Sequence, residues 1–182
     1  MKVYELDISD IKIIIPDIFI DKRGYFYESF NNKKFNELIG LNVSFVQDNR
    51  SSSTQGVLRG LHYQLPPSSQ GKLINVTKGE ILDVAVDIRK SSPSFGKYVS
   101  CVLSSENKKQ LWIPEGFAHG FLTLSSEAEV FYKTTNYYSP SDERCLLWND
   151  DKLNINWPND HKISLSEKDL DGSKLINSEV FD

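Results

Sequence analysis

Short runs of β-branched and aromatic residues, separated by turn-forming residues, extend along most of this 182-residue chain. Such a pattern is typical of antiparallel sandwiches and barrels, whereas strands alternating with long amphipathic helices would indicate a parallel α/β sheet. We therefore predict a mainly β fold. The predicted strands are residues 11–15, 24–29, 43–49, 56–63, 72–77, 79–87, 98–103, 109–113, 120–124 and 128–137.

Helix is predicted in only two short segments. Residues 31–39 combine a capping asparagine, Asn31 or Asn32, with Gly40 at the end. A second short helix is predicted to begin near Ser166, a plausible N-cap. Residues 139–159 are poor in strand signals but contain two tryptophans, so we expect them to pack on the body of the protein. The chain has no internal repeat or linker, and residues 1–182 are predicted to form a single domain.

The charge of the chain excludes some classes of partner. The formal net charge is −4, so the basic surplus that binding to a nucleic-acid backbone requires is missing. The apolar run at residues 13–15 stops at Pro16 and is too short for a membrane span or a signal core. We expect no nucleic-acid or membrane partner and a cytoplasmic location. Cys101 and Cys145 are far apart in the sequence and are interpreted as buried free thiols.

Residues 81–87 alternate in a way that indicates two different strand faces. Ile81, Asp83, Ala85 and Asp87 share one face, while Leu82, Val84 and Val86 share the other. We predict that one face packs in an apolar core and that the face with the carboxylates lines a polar cavity.

The first candidate for chemistry is His62, within residues 57–64. Simple alternation places Arg59 and Leu61 on one face of this strand, and Leu58, Gly60 and His62 on the other. Histidine is the usual general base near neutral pH because its unperturbed pKa of about 6.5 allows it both to take and to release a proton. A structural histidine in the core is the alternative.

The second candidate is His119, which follows the turn at residues 114–116. The Pro-x-Gly-x-x-His pattern resembles the second signature of cupin barrels, whose histidine points into the barrel mouth. Metal-binding cupins add a His-x-His pair, but the counterpart here is the segment His62–Gln64, one imidazole short. With histidines only at 62, 119 and 161, the three or four donors of a usual site would need help from carboxylates. We predict that the protein uses no metal.

Two further segments contain groups that suit an active site. Lys72 could stabilise a developing enolate oxygen, although a solvated surface lysine is the simpler interpretation. Aromatic residues crowd residues 131–138, where one tyrosine could donate a phenolic proton and another could stack on a base or sugar. Aromatic packing at the rim of a sheet explains the same segment equally well.

Taken together, these motifs are more specific than any one of them. In this order, they resemble the dTDP-4-dehydrorhamnose 3,5-epimerase family from about residue 10 to about residue 170. The matching segments are residues 21–29, 45–49, 58–64, 70–72, 83–89, 114–121 and 136–140.

The resemblance implies a cupin-type jelly-roll barrel that forms homodimers and uses no cofactor. It also implies inversion of C3 and C5 of dTDP-4-dehydro-6-deoxy-D-glucose, giving dTDP-4-dehydro-L-rhamnose for dTDP-L-rhamnose synthesis. Both carbons flank the C4 ketone, so removal of either proton gives an enolate with its charge on the C4 oxygen.

Residue roles follow from the matched motifs. His62 is similar to the base, Asp169 to the carboxylate that orients it and Tyr132 to the acid on the opposite face of the sugar. Lys72 is similar to the residue that steadies the enolate, and Asp83 to a polar neighbour inside the barrel. Positions that bind the nucleotide or sugar correspond to Arg23, Glu28, Gln47, Asp48, Asn49, Arg59, Lys72, His119, Tyr138, Glu143 and Lys168, with Tyr138 stacking on thymine.

Three rival functions are also compatible with these motifs. One is a relative on the same fold that inverts a single carbon or accepts another 4-dehydro-sugar nucleotide. Another is a non-catalytic cupin that only binds a nucleotide sugar, which would not need a base, an acid and an enolate partner together. The third is a metal-dependent cupin isomerase or dioxygenase, which the missing His-x-His pair disfavours.

Overall fold

Thirteen strands and two α-helices are found within the described residues. A computed structural model of the chain describes residues 1–158 and 162–182. The strands are β1 Lys2–Glu5, β2 Lys12–Ile15, β3 Phe19–Asp21, β4 Gly24–Phe26, β5 Gln47–Thr54, β6 Leu58–Gln64, β7 Lys72–Lys78, β8 Glu80–Asp87, β9 Tyr98–Ser104, β10 Gln110–Ile113, β11 Phe117–Thr123, β12 Glu127–Thr134 and β13 Glu143–Cys145. The helices are α1 Asn32–Ile39 and α2 Glu167–Leu170, and a 3-10 turn covers Leu175–Asn177.

Two antiparallel sheets form the body of the protein, so the predicted mainly β class is confirmed. The six-stranded sheet has the order β1-β2-β10-β7-β12-β5, and the five-stranded sheet has the order β13-β6-β11-β8-β9. Their inner faces bury a shared apolar core, to which β7 and β10 contribute from one sheet and β8 and β11 from the other. Its members include Ile74, Val76, Leu111, Ile81, Ala85 and Phe121. The strands β3 and β4 form a separate two-stranded hairpin.

The strand predictions were correct in position more often than in length. The predicted strand 43–49 was wrong in its bounds, because the ladder runs from Gln47 to Thr54. Val43 and Phe45 instead pack beside α1, and the polar half of β5 is held by its pairing with β12. The predicted strands 24–29 and 128–137 end earlier, at Phe26 and Thr134. Strand β11 begins three residues before the predicted position 120, so His119 lies within the strand. The strands β1, β3 and β13 were not predicted.

Both predicted helices are present. Helix α1 begins after Asn31, whose side chain accepts a hydrogen bond from the Lys34 backbone, and ends at Gly40 in the left-handed conformation. Helix α2 follows Ser166, which caps it as predicted. No helix in residues 1–158 and 162–182 has the length and apolar character needed to cross a membrane. Residues 139–158 pack on the body, where Trp157 donates a hydrogen bond to the Trp148 carbonyl, while residue 159 lies outside the described residues.

Strand β8 is buried on both faces, which partly bears out its predicted alternation. Val84 and Val86 pack under the C-terminal segment, whereas Ile81 and Ala85 join the core between the sheets. Asp83 is fully buried among them and contacts His119. Asp87 is bound by Arg89, Ser92 and Ser94 instead of lining the cavity described below. The face is therefore mixed: it supplies core residues and one carboxylate for the polar interior.

A β-bulge in β6 changes which side chains face the interior. His119 pairs with His62 and Phe121 pairs with Arg59, so β6 contains one residue more than β11 between these pairs. The extra residue reverses the alternation. Arg59 and His62 consequently line the same cavity, and the predicted placement on opposite faces was wrong.

We expect Gly60→Ala to be strongly destabilising, because Gly60 sits in this bulge at φ +116°. A Cβ there would lie 2.6 Å from both the Gly120 Cα and the His119 carbonyl oxygen. Strain and overpacking together should lower the free energy of unfolding by about 3 kcal/mol or more. Urea denaturation measures this change.

Gly40→Ala is the matched control, since Gly40 also has a positive φ but no atom lies within 4 Å of its Cβ position. It should cost only the backbone penalty of about 1–2 kcal/mol. Equal losses in the two variants would contradict the importance of the close approach at Gly60.

Candidate active site

A cavity of about 320 Å³ opens between the two sheets. Many of the residues singled out from the sequence line it, although they come from six strands and from the segment after β12. These residues are Gln47, Asn49, Arg59, His62, Lys72, His119, Tyr132, Tyr138 and Glu143. The fold therefore brings most of the predicted site residues to one place.

His62 forms a close pair with Asp169. Its Nε2 atom lies 2.6 Å from Asp169 Oδ1, although the residues are 107 positions apart in the sequence. Asp169 also accepts hydrogen bonds from the Ser166 hydroxyl at 2.7 Å and from the Gly60 backbone N–H at 3.3 Å. Burial alone would raise the pKa of Asp169, but the bonds from His62 and Ser166 lower it below its ordinary value. Asp169 is thus an anion that holds one nitrogen of the His62 ring.

His119 forms a second imidazole–carboxylate pair beside the first. Its Nε2 atom lies 2.9 Å from Asp83 Oδ1 and 3.0 Å from Asp83 Oδ2. Desolvation raises the pKa of the fully buried Asp83, and the adjacent His119 opposes this effect. Because His119 and His62 face each other across β11 and β6, the two rings form one polar wall of the cavity.

Lys72 places a buried amine in the cavity at the start of β7. Its side chain is almost inaccessible, and burial lowers the pKa of Lys72 to about 8 against a weaker opposing effect of Glu115 and Glu143. Among residues 1–158 and 162–182, no carboxylate forms an ion pair with it. A buried cation without an ion-pair partner is well suited to meet negative charge on a bound molecule.

Tyr132 lies on the wall opposite His62. It belongs to β12 of the six-stranded sheet, whereas His62 belongs to β6 of the five-stranded sheet. Burial raises the pKa of Tyr132 above the ordinary value of a phenol, so its hydroxyl is protonated at neutral pH with or without this shift. The cavity therefore has an imidazole on one wall and a proton-bearing phenol on the facing wall.

The mouth of the cavity is bounded by Tyr138, which is about half exposed. Its hydroxyl donates to Glu143 at 2.6 Å, and its backbone N–H donates to the Gln47 side chain at 3.0 Å. Lys168 lies 2.5 Å from the other oxygen of Glu143. Burial would raise the pKa of Glu143, but the bonds from Lys168 and Tyr138 lower it. These contacts fix an aromatic ring at the rim.

Four predicted binding residues do not line this cavity. Lys168 pairs with the lining residue Glu143, whereas the other three form ion pairs with residues outside the lining. Arg23 is exposed at the tip of the β3–β4 hairpin and pairs with Asp21, while Glu28 pairs with Lys34. Asp48 points away from the cavity and pairs with Lys133. The orientation of Asp48 follows from the alternation of side chains along β5, because Gln47, Asn49 and Ser51 share the face that lines the cavity.

Several lining residues were not predicted to take part. These are Ser51, Tyr63, Gln64, Gln70 and Phe121. Ser51 and Gln64 could have been found from alternation, since they lie two residues after Asn49 and His62. Gln64 is nearly buried and binds the 137–139 segment through the Tyr137 carbonyl and the Ser139 backbone N–H.

Of the three histidines, the structure describes His62 and His119, whereas His161 lies outside the described residues. Both imidazoles already have carboxylate partners. Independence of metal stays a prediction, to be checked by prolonged chelation, which should not lower the activity.

Comparison with known proteins gives a consistent result. The family model described as dTDP-4-dehydrorhamnose 3,5-epimerase matches residues 5–177. The dTDP-4-dehydrorhamnose 3,5-epimerase of Shigella flexneri is 58% identical, over 100% of this chain and 99% of its own. The enzyme of the same name from Salmonella typhimurium is 57% identical, over 93% and 92%.

A solved structure from Legionella pneumophila is also similar to this chain in fold and sequence. This dTDP-6-deoxy-D-glucose-3,5-epimerase was crystallised with dTDP-4-keto-L-rhamnose. It has a TM-score of 0.95 and 49% identity, over 98% of this chain and 94% of its own. The cupin-like jelly-roll fold of such neighbours confirms the predicted architecture.

Removing the buried charge of Lys72 should stabilise the protein. A folded-state pKa of about 8, below the ordinary 10.5, means that the native state carries a desolvated cation at pH 7. This penalty is fully present below pH 8 and is relieved as the pH rises from about 8 to 10.5, where the unfolded chain binds more protons. Lys72→Met should therefore raise the free energy of unfolding at pH 7, and its advantage should shrink toward pH 10.

Lys152→Met is the control, because Lys152 is exposed and its replacement shows whether the loss of any lysine charge raises the free energy of unfolding. Its stability in urea should change by no more than about 0.5 kcal/mol. A Lys72→Met protein less stable than the native one at pH 7 would refute the unpaired buried cation.

Proposed function

The chain belongs to the dTDP-4-dehydrorhamnose 3,5-epimerase family, and we propose that it inverts C3 and C5 of dTDP-4-dehydro-6-deoxy-D-glucose in its central cavity. The product is dTDP-4-dehydro-L-rhamnose, an intermediate of dTDP-L-rhamnose synthesis. Base and acid stand on facing sheets, and this observation supports the assignment most strongly. Inversion requires that a proton leave one face of the sugar and that another arrive on the opposite face.

His62 is the base in this proposal. With Nε2 committed to Asp169 at 2.6 Å, Nδ1 is the ring nitrogen left to accept a proton. The carboxylate holds the proton-bearing nitrogen in place and stabilises the imidazolium that forms. Asp169 therefore acts through the tautomer and orientation of the ring.

Lys72 stabilises the intermediate. Removal of a proton from C3 or C5 puts negative charge on the C4 oxygen, and one cation near that oxygen serves both carbons. With a pKa of about 8, the amine is mainly protonated at neutral pH. In a site shielded from water, such a fixed charge can contribute several kcal/mol to the stability of the transition state. A metal is not needed to take up this charge, and we propose that none participates.

Tyr132 returns a proton to the face opposite His62. A protonated phenol is a suitable proton donor to an enolate carbon, and His62 cannot serve both faces without the sugar turning over. The second pair, His119 with Asp83, extends the polar wall and is assigned to binding the substrate.

The nucleotide is bound at the rim. Arg59 offers paired guanidinium donors that suit a pyrophosphate, and the exposed ring of Tyr138 suits stacking on thymine. Gln47, Asn49, Glu143 and Lys168 complete the binding residues proposed within this chain.

Arg23 and Glu28 would reach a cavity only in a dimer. The hairpin that carries Arg23 exposes four large apolar side chains, Phe19, Ile20, Tyr25 and Phe26. An exposed apolar group of this kind marks an interaction surface. We propose a homodimer of single-domain chains in which each hairpin crosses to the partner's cavity, and a cytoplasmic location for this biosynthetic enzyme.

The rival functions have less support. A purely binding protein does not require a base, a buried cation and an opposed phenol. The His-x-His pair of metal-binding cupins is missing from the sequence, and both histidines that the structure describes have carboxylate partners. Whether the protein inverts one carbon or both is decided by measuring inversion at C3 and at C5 separately.

The roles of base and acid are separated by proton NMR with the 4-dehydro sugar nucleotide in deuterium oxide. His62→Ala should abolish both inversion and deuterium uptake at C3 and C5, because no enolate forms. Tyr132→Phe should still exchange deuterium on the original face while inversion falls by roughly 100- to 10,000-fold. Native-rate inversion by Tyr132→Phe, or exchange by His62→Ala, would show that the roles are assigned wrongly.

Binding of dTDP alone tests the proposed nucleotide site. Arg59→Ala should weaken dTDP binding roughly tenfold or more, since it removes charge-assisted hydrogen bonds. Tyr138→Ala should lose about 1–3 kcal/mol of stacking and narrow the preference for dTDP over other nucleotides. Titration calorimetry measures both.

The neighbours Arg50 and Tyr137 provide controls, because neither lines the cavity. Arg50→Ala and Tyr137→Ala should bind dTDP as the native protein does. Unaltered binding by Arg59→Ala and Tyr138→Ala would place the nucleotide elsewhere.

Sharing of active sites predicts complementation between inactive variants. A hybrid of Arg23→Ala with His62→Ala contains one intact site, so equal mixing with free subunit exchange should restore about a quarter of native activity. Mixing His62→Ala with Tyr132→Phe should restore nothing, because both lesions lie in the cavity of their own chain. Failure of the first pair after demonstrated exchange would argue against crossing hairpins.

A further inference from the structure

Cys145 has no part in the proposed reaction, yet its thiol lies against the catalytic pair. It is on β13, directly across the ladder from His62 on β6. The Cys145 sulfur, a ring nitrogen of His62 and a carboxylate oxygen of Asp169 all lie within 4.8 Å of one another. Three different metal-binding groups therefore converge at the edge of the cavity.

The three donors suit zinc in type and number. Zinc binds thiolate, imidazole and carboxylate, and a site with three protein ligands leaves a fourth position for water. A thiolate and a carboxylate around a neutral imidazole would also balance the charge of a divalent ion, which favours binding in a poorly hydrated place.

The geometry needs only small adjustments. From the usual zinc–ligand distances, neighbouring donors in a tetrahedral site are roughly 3.3–3.6 Å apart. The 2.6 Å contact between His62 and Asp169 must open, and the sulfur must approach from a separation of up to 4.8 Å. The His62 side chain is about one-third exposed and can make such a movement.

Hard cations such as magnesium and calcium should bind weakly at this site. Binding of an ion releases the Cys145 thiol proton to the solvent, because the thiolate is the form of cysteine that binds metal. Magnesium and calcium prefer oxygen ligands and gain little from sulfur, whereas zinc, cadmium and cobalt bind thiolate.

We propose that His62, Cys145 and Asp169 form an inhibitory site for a thiophilic divalent cation, with zinc as the representative ion. An ion bound to Nε2 takes the place of the proton shared with Asp169, so the neutral ring carries its proton on Nδ1. That nitrogen then has no lone pair with which to accept a proton from C3 or C5. Zinc thus switches off the base without occupying the nucleotide site.

Cobalt(II) chloride provides a readout that does not depend on the proposed function. Added to metal-free protein, it should produce a sulfur-to-cobalt charge-transfer absorption, and zinc chloride should remove this absorption by competition. Cys145→Ser should abolish the absorption, and Cys145→Ala guards against weak ligation by the serine hydroxyl. Cys101→Ser is the matched control, because Cys101 is the other free thiol and should leave the signal unchanged.

Inhibition is measured on the same proteins and rests on the proposed epimerase activity. Zinc chloride should inhibit the native enzyme and Cys101→Ser, a chelator should restore both, and magnesium chloride should have no effect. Cys145→Ser and Cys145→Ala should retain activity and require at least about tenfold more zinc. Equal zinc sensitivity of the Cys145 variants, or a cobalt–sulfur signal lost in Cys101→Ser, would overturn the proposal. Failure of the epimerase assay alone would leave the cobalt result standing and would count against the proposed function.

Discussion

The hydrogen bond between His62 and Asp169 is the constraint on which the site depends. It joins a strand of the five-stranded sheet to a one-turn helix near the end of the chain. Removing a carboxylate from water is costly unless its oxygens are satisfied. The Ser166 hydroxyl donates to Oδ2 of Asp169, and the Gly60 backbone N–H shares Oδ1 with His62. The C-terminal segment is thereby held against the barrel in the position that sets the tautomer of the imidazole.

Because the two sheets face each other, the His62 imidazole on one sheet has the Tyr132 phenol opposite it on the other. An active site on one sheet would present base and acid to the same side of a sugar, whereas here His62 and Tyr132 face each other across a cavity. Lys72 enters from the six-stranded sheet as a buried cation, at a cost in stability. This cost is the usual consequence of preorganising charge for a reaction instead of for folding.

Local patterns predicted much of the fold because strand alternation and helix caps are short-range signals. Asn31, Gly40 and Ser166 mark the helices as expected. Local signals do not predict the bounds of a polar strand such as β5, because its residues have little strand propensity of their own and are held by pairing with β12. The bulge at Gly60 was also invisible, because it depends on the backbone of β11. The resemblance to a family supplied Asp169, which no pattern could place beside His62. The sequence of one chain also does not show which cavity Arg23 contributes to, because we propose that its hairpin crosses to the partner subunit.

The tautomer of His62 tests the central claim most directly. Nitrogen-15 NMR of the resting enzyme should show a proton on Nε2 and a bare Nδ1 in the neutral ring. Asp169→Asn should shift the proton to Nδ1, because an amide N–H can donate to Nε2, and proton abstraction should be lost with the fold intact. A native ring protonated on Nδ1, or an Asp169→Asn enzyme that keeps both the native tautomer and the native rate, would contradict the account.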